Sequence, residues 1–216
     1  MVSNETELRT AVDNAPLGGT AYVIVITSDI PLERGPLIIP TGVNITLTTD
    51  DSAMVRNLTA VGNFGVIAIG DYSTLNVKNR GELRLDGICV THAKGVYGIG
   101  VSNHGDLYLY NGAISDNNIS PNSIISDGGG VYNRGNFTIF GSTISNNTCG
   151  SFLSLGGGVY NEGNFTMWDS VISGNTASWR GGGVSNQCHF HKVGLCAKNG
   201  ILPSMGDKNG TYQQNN

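Results

Sequence analysis

The chain has 216 residues, of which only 13% are charged, with a formal net charge of −4 and 32 glycines. This balance argues against nucleic acid or an anionic membrane surface as the main partner. No apolar run approaches 18 residues, so no membrane span is expected, and Met1-Val2-Ser3-Asn4-Glu5 lacks the basic and apolar regions of a secretory leader.

The first predicted element is a helix near residues 4–14. Ser3 and Asn4 offer an N-cap, Glu5 and Glu7 place acid in the first turn, and Leu8, Val12 and Ala15 recur near helical spacing. Pro16 and Gly18-Gly19 stop it. Residues 1–20 therefore read as an N-terminal capping helix. The runs Tyr22–Thr27, Leu37–Pro40 and Asn44–Thr49 read as strands of a first irregular coil, and residues 66–69 as part of the next.

From residue 77 a phrase recurs: Val-x-Asn, usually followed by x-Gly. Its asparagines are Asn79, Asn103, Asn133, Asn161 and Asn186, spaced 24, 30, 28 and 25 residues apart. Aligned on them, Leu83, Leu107, Phe137 and Phe165 share one position. Leu85, Leu109, Ile139 and Met167 share the next but one, and Val90, Ile114, Ile144 and Ile172 fall five further on. Polar or amphipathic residues alternate with the first two columns, the signature of strands buried on one face. Equal-length circuits carrying like residues in like positions fit parallel stacking, with glycine-rich corners such as 128–130, 156–158 and 181–183.

The predicted architecture is all-β: a right-handed parallel β-helix solenoid over residues 21–186, with three short strands per coil. Asn79/103/133/161/186 would form one structural ladder and Asn117/147/175 another, their side-chain amides bonding along the stack. Residues 187–216 read as an irregular tail. The abrupt end of full repeats favours a segment of a longer protein with further coils.

Cys89 aligns with Ala113, Thr143 and Val171, a small strand residue. Cys188 and Cys196 leave three alternatives open: free thiols (the leading one), a disulfide pinning the tail, or metal ligands together with His189 and His191. No standard metal-ligand spacing is present, and no metal or cofactor is expected. Eight Asn-x-Ser/Thr triplets, including Asn44, Asn118, Asn136 and Asn164, would be glycan acceptors only in a eukaryotic secretory pathway.

The segments Gly128-Gly-Gly-Val-Tyr-Asn-Arg-Gly-Asn-Phe-Thr and Ile172-Ser-Gly-Asn-Thr-Ala177 resemble repeats of the polymorphic outer-membrane-protein family and of adhesin-like bacterial and archaeal surface proteins. The likeness covers residues 77–186 well and 20–76 in style only. The family's Phe-x-x-Asn tetrad is replaced by Phe137-Thr-Ile-Phe and Phe165-Thr-Met-Trp, and no C-terminal β-barrel follows. The resemblance implies the pectin-lyase-like fold and an extracellular or cell-surface role, and it carries over no partner and no catalytic residue.

Polysaccharide lyases and glycoside hydrolases share this fold class, so a polysaccharide-degrading enzyme is the alternative. It would need clustered acids or a carboxylate pair at catalytic separation. Here the acids scatter: Glu82 and Asp106 share an outward column, and Asp86 and Asp169 read as members of another column, three coils apart. No catalytic residue is assigned.

The stronger pattern is aromatic. Tyr110, Phe140 and Trp168 follow Asp86 in one outward column, Tyr108 lies two residues away on that face, and Tyr132 and Tyr160 form a second outward pair. Such a strip suits stacking on sugar rings or docking of a protein, and would equally serve as a self-stacking staple. An ice-binding face is disfavoured, because the column Arg84, Tyr108, Thr138, Thr166 is neither flat nor regular. The functional expectation is a non-catalytic adhesin-like module recognising glycan or protein.

Overall fold

A computed structural model describes residues 1–70, 81–123, 127–187 and the backbone of 212–213. Asn79, Cys188, Cys196 and most of the 187–216 tail lie outside the described residues.

The chain opens with helix α1 (Glu5–Asp13), whose N-cap Asn4 accepts the Glu7 N–H at 3.0 Å. The first coil comprises β1 (Ala21–Ile26), β2 (Ile30–Leu32) and β3 (Leu37–Ile39), and the second β4 (Asn44–Thr49), β5 (Arg56–Ala60) and β6 (Ile67–Ile69). The third holds β7 (Glu82–Asp86), β8 (Ile88–His92) and β9 (Val101–Asn103). The fourth adds a short extra strand: β10 (Asp106–Tyr110), β11 (Ala113–Ser115), β12 (Asn118–Ile119) and β13 (Val131–Asn133). The fifth repeats it with β14 (Asn136–Phe140), β15 (Thr143–Ser145), β16 (Thr148–Cys149) and β17 (Val159–Asn161). The sixth has β18 (Asn164–Trp168), β19 (Val171–Ser173), β20 (Thr176–Ala177) and β21 (Val184–Asn186).

Corresponding strands pair in parallel. Sheet I is β1-β4-β7-β10-β14-β18, sheet II β2-β5-β8-β11-β15-β19, sheet III β3-β6-β9-β13-β17-β21, and β12-β16-β20 form a short corner ladder. A two-residue strand β22 (Tyr212–Gln213) pairs antiparallel with β19. This is a parallel β-helix with three strands per coil, as the column alignment predicts. Leu83, Leu107, Phe137 and Phe165 lie in register, and so do Val90, Ile114, Ile144 and Ile172.

One buried cluster runs along the axis, from Val2, Leu8 and Val12 at the N-terminal end to Val159 and Ile172. Leu8 and Val12 put the apolar stripe of α1 against the first coil, so the helix removes that end of the core from water. Buried Glu5 fixes the helix in place. Its carboxylate accepts from Arg9 Nε at 2.8 Å and from the backbone N–H groups of Glu33 and Arg34 at 3.0 and 3.2 Å. At the other end Phe165, Met167 and Val184 point inward but are only partly buried.

The register shows what stands on either side of Asn103. Asn103 pairs with Asn133 on one side, but on the other with Ile69. The third-sheet strand of the second coil is thus Ile67–Ile69, with Ile69 next to Asn103. Where asparagine holds that position, sheet III passes to sheet I through two residues, 104–105, 134–135 and 162–163. The asparagine side chain closes the short corner, as when Asn103 Oδ1 accepts the Gly105 N–H at 3.1 Å. A Cβ on Gly135 would overlap the Gly105 carbonyl oxygen, so these corners stack glycine on glycine.

Candidate functional site

The outward face of sheet I carries three rows across the coils. One reads Val25, Thr48, Asp86, Tyr110, Phe140, Trp168, in register from strand to strand. Beside it run Val23, Thr46, Arg84, Tyr108, Thr138 and Thr166. Period-two alternation sends these side chains away from the core. Phe140 is 44% exposed, and Tyr108, Tyr110 and Trp168 are half-buried.

The rings are ordered by their neighbours. Tyr108 and Tyr110 lie nearly parallel, 6.3 Å apart with a 4° interplanar angle, and Tyr110 meets Phe140 at 6.4 Å in a tilted arrangement. The Arg84 guanidinium stands 5.0 Å from the Tyr108 ring centre and 5.3 Å from that of Tyr110. A cation so placed is attracted to both ring faces and ties two coils together. Burial, reinforced by Glu82 and Asp106, pushes the Tyr108 phenol upward, so it is a hydrogen-bond donor at neutral pH.

The acids of this face have partners. Glu82 pairs with Arg84 at 3.8 Å, Asp86 accepts from Asn111 Nδ2 at 2.9 Å, and Asp106 accepts from Asn136 Nδ2. Asn164 in turn donates to Asn136 at 2.7 Å, completing an outer amide row. Register also corrects the reading of Asp169: Trp168 takes the Asp86 column, and Asp169 follows it at a corner with φ +45°. Among the described residues no three His, Cys, Asp or Glu gather as a metal would need.

On sheet III, Tyr132 and Tyr160 are in register and stack 5.5 Å apart. Tyr132 is half-buried. Tyr160 is not the exposed ring expected, since it is only 4% accessible. Both hydroxyls converge on Glu162, at 3.3 and 3.1 Å, and Arg134 pairs with the same carboxylate. Burial would raise the Glu162 carboxyl, but Arg134 and the two phenols together hold it below the usual carboxylate range. Burial also pushes the Tyr160 phenol up. The Tyr132–Tyr160–Glu162–Arg134 group is a closed knot spanning two coils, and its chemistry is spent on itself.

The asparagine columns lie inside the corners. Asn103, Asn133, Asn161 and Asn186 pass a hydrogen bond from each Nδ2 to the next Oδ1, at 2.6, 2.6 and 2.8 Å. Asn117, Asn147 and Asn175 do the same at 2.8 and 2.9 Å and are fully buried. Of the expected site residues, the structure therefore brings Tyr108, Tyr110, Phe140 and Trp168 together on one face. It separates them from Tyr132 and Tyr160. Arg84 is the member that sequence reasoning passed over, although its column with Tyr108 was visible.

The fold and these faces define a parallel β-helix solenoid with an ordered aromatic surface on one sheet. No protein-family profile, curated protein or solved structure matches the chain.

Proposed function

We propose that this protein is a non-catalytic, adhesin-like recognition module of the cell surface or extracellular space that binds glycan through the outer face of sheet I. The carrying observation is the in-register row Tyr110–Phe140–Trp168, with Tyr108 held beside it by Arg84. Aromatic faces at strand spacing offer flat apolar contact for the C–H faces of sugars. The flanking amide row of Asn136 and Asn164 supplies hydrogen-bonding edges. The resemblance of residues 77–186 to polymorphic outer-membrane-protein and adhesin repeats supports the same reading.

The alternative, a polysaccharide-degrading enzyme of the pectin-lyase-like fold, would use acids of an outward face. Glu82, Asp86 and Asp106 are each bonded to a neighbour, which favours a binding surface. A glycan-array screen of the intact chain, run beside Trp168→Ala and Phe140→Ala, tests the proposal. Array binding that both variants lose, with unchanged melting temperatures, supports it. Binding unaffected by either variant, or release of new chain ends from polysaccharide, overturns it.

A further inference from the structure

A second concave surface lies outside sheet III. A cleft of about 580 Å³ is lined by Asn63, Tyr97, Ser102, Ser120, Asp127 and Tyr132, with Gly98 in its wall. It lies on a different sheet from the aromatic row.

The cleft is preformed. The Tyr97 N–H donates to Asn63 Oδ1 at 2.9 Å, and the Gly98 N–H donates to the Asn118 carbonyl at 2.7 Å. Beneath it the buried His92 places Nε2 2.7 Å from the Phe64 carbonyl and Nδ1 2.7 Å from Asn117 Oδ1. This ring links the 62–65 segment to the inner asparagine ladder. A Cβ on Gly98 would overlap the Phe64 carbonyl and crowd His92 Nε2, so glycine is required where the two wall segments meet. On the opposite side Asp127 accepts the Leu155 N–H at 2.7 Å, fixing that carboxylate against the next coil.

The lining chemistry is selective. The Tyr97 ring supplies an apolar face, the Tyr132 ring, stacked on Tyr160, forms part of the wall, and serine hydroxyls and the Asn63 amide supply neutral donors and acceptors. The one charge among the described lining residues is the Asp127 carboxylate, and Arg134, 5.9 Å from the Tyr132 ring centre, is paired with Glu162. An anionic polymer would meet that carboxylate, while the nearby Arg134 is already paired with Glu162. A hydroxyl-rich uncharged ligand meets complementary groups: the Tyr97 ring against its C–H face, and amide, hydroxyl and carboxylate against its hydroxyls. We infer that this cleft binds a neutral saccharide unit and forms a site separate from the sheet I row. The inference stands on the cleft's own lining and not on the proposed role of that row.

Calorimetric titration of the intact chain tests it, using neutral gluco-, manno-, xylo- and chito-oligosaccharides, with oligogalacturonate as the anionic comparison. Tyr97→Ala and Asp127→Asn should each weaken one binding event with a neutral oligosaccharide by about tenfold or more, an event distinct from any at sheet I and unchanged by Trp168→Ala. Should Asp127→Asn lower the melting temperature by releasing Leu155, Tyr97→Ala on the exposed wall decides alone. Three results overturn the inference: no neutral oligosaccharide binds, Tyr97→Ala has no effect, or oligogalacturonate binds more tightly than the neutral set. Glycan binding that depends on Trp168 but not on Tyr97 would sink the cleft and leave the sheet I reading standing.

Discussion

Both the backbone N–H and the side-chain Nδ2 of Asn117 donate to the single Oδ1 of Asn147, at 3.0 and 2.8 Å. Asn147 repeats the arrangement on Asn175 and also donates to the Ile114 carbonyl at 2.9 Å. One carboxamide thus satisfies backbone and side-chain groups of three successive coils where water cannot reach.

Replacing Asn147 by Ala strands the Asn117 N–H and takes the side-chain donor from the Ile114 carbonyl, while Asn175 Oδ1 keeps the backbone N–H of residue 147, a loss expected to cost about 2–4 kcal/mol. Asn147→Asp should do no better, because its carboxylate faces two oxygens. Asn164→Ala, in the solvated outer row, should change stability by less than about 0.5 kcal/mol. Urea unfolding midpoints of the three variants check this. Equal losses at Asn147 and Asn164 would refute the distinction between inner and outer amides.

Acid should loosen the solenoid through carboxylates whose folded values are depressed. Glu162 is held low by Arg134 and two phenols, and Glu5 by Arg9 and two backbone N–H groups, each outweighing the upward effect of burial. Folded values below the ordinary 4.5 mean that their stabilisation is complete above about that pH. It is then lost as pH falls through the folded values. Glu162→Gln should therefore destabilise by about 1–2 kcal/mol at pH 7 and by less at pH 3. Midpoints measured at both pH values decide, and a gap that widens in acid would reverse the sign.

The stacked pair Phe137–Phe165, with ring centres 5.1 Å apart, should respond asymmetrically. Phe137 is 1% exposed between two coils, whereas Phe165 lies in the last described strand of sheet I and is half-buried. Phe137→Ala should cost about 3–5 kcal/mol and Phe165→Ala roughly half that. Thermal unfolding of the two variants reads the difference directly.

Cys149 is fully buried in the corner ladder, where burial pushes its thiol up to about 11. A thiol so protected carries almost no thiolate at neutral pH. Iodoacetamide should leave it unmodified in the native protein and label it once the chain is unfolded in urea, as peptide mass mapping would show. Rapid native labelling of Cys149 would contradict its placement.

The β-helix was legible because its columns repeat. Like residues stack on like, and apolar alternation marks which side faces inward. The residue beneath Asn103 was not legible, because the strand that stacks there ends in Ile69 and carries no Val-x-Asn phrase. The two-residue strands β12, β16 and β20 were too short to show any alternation. In the site, alternation sent Tyr160 outward correctly but could not reveal that this ring would be covered. The Glu162 knot went unseen because acids were weighed by column, whereas its partners come from one strand, its neighbour and the corner between sheets III and I.

The corners between sheets III and I are pinned by asparagine and stacked glycine, whereas the connections from the corner ladder to sheet III differ in length ahead of the stacked glycine triplets 128–130, 156–158 and 181–183. Mutation that lengthens or rewrites the chain can therefore accumulate along a single edge without shifting the strands on either side. The molecule separates a spine of constant connection length from an editable margin. A lineage could thus change what that margin touches while keeping the same scaffold.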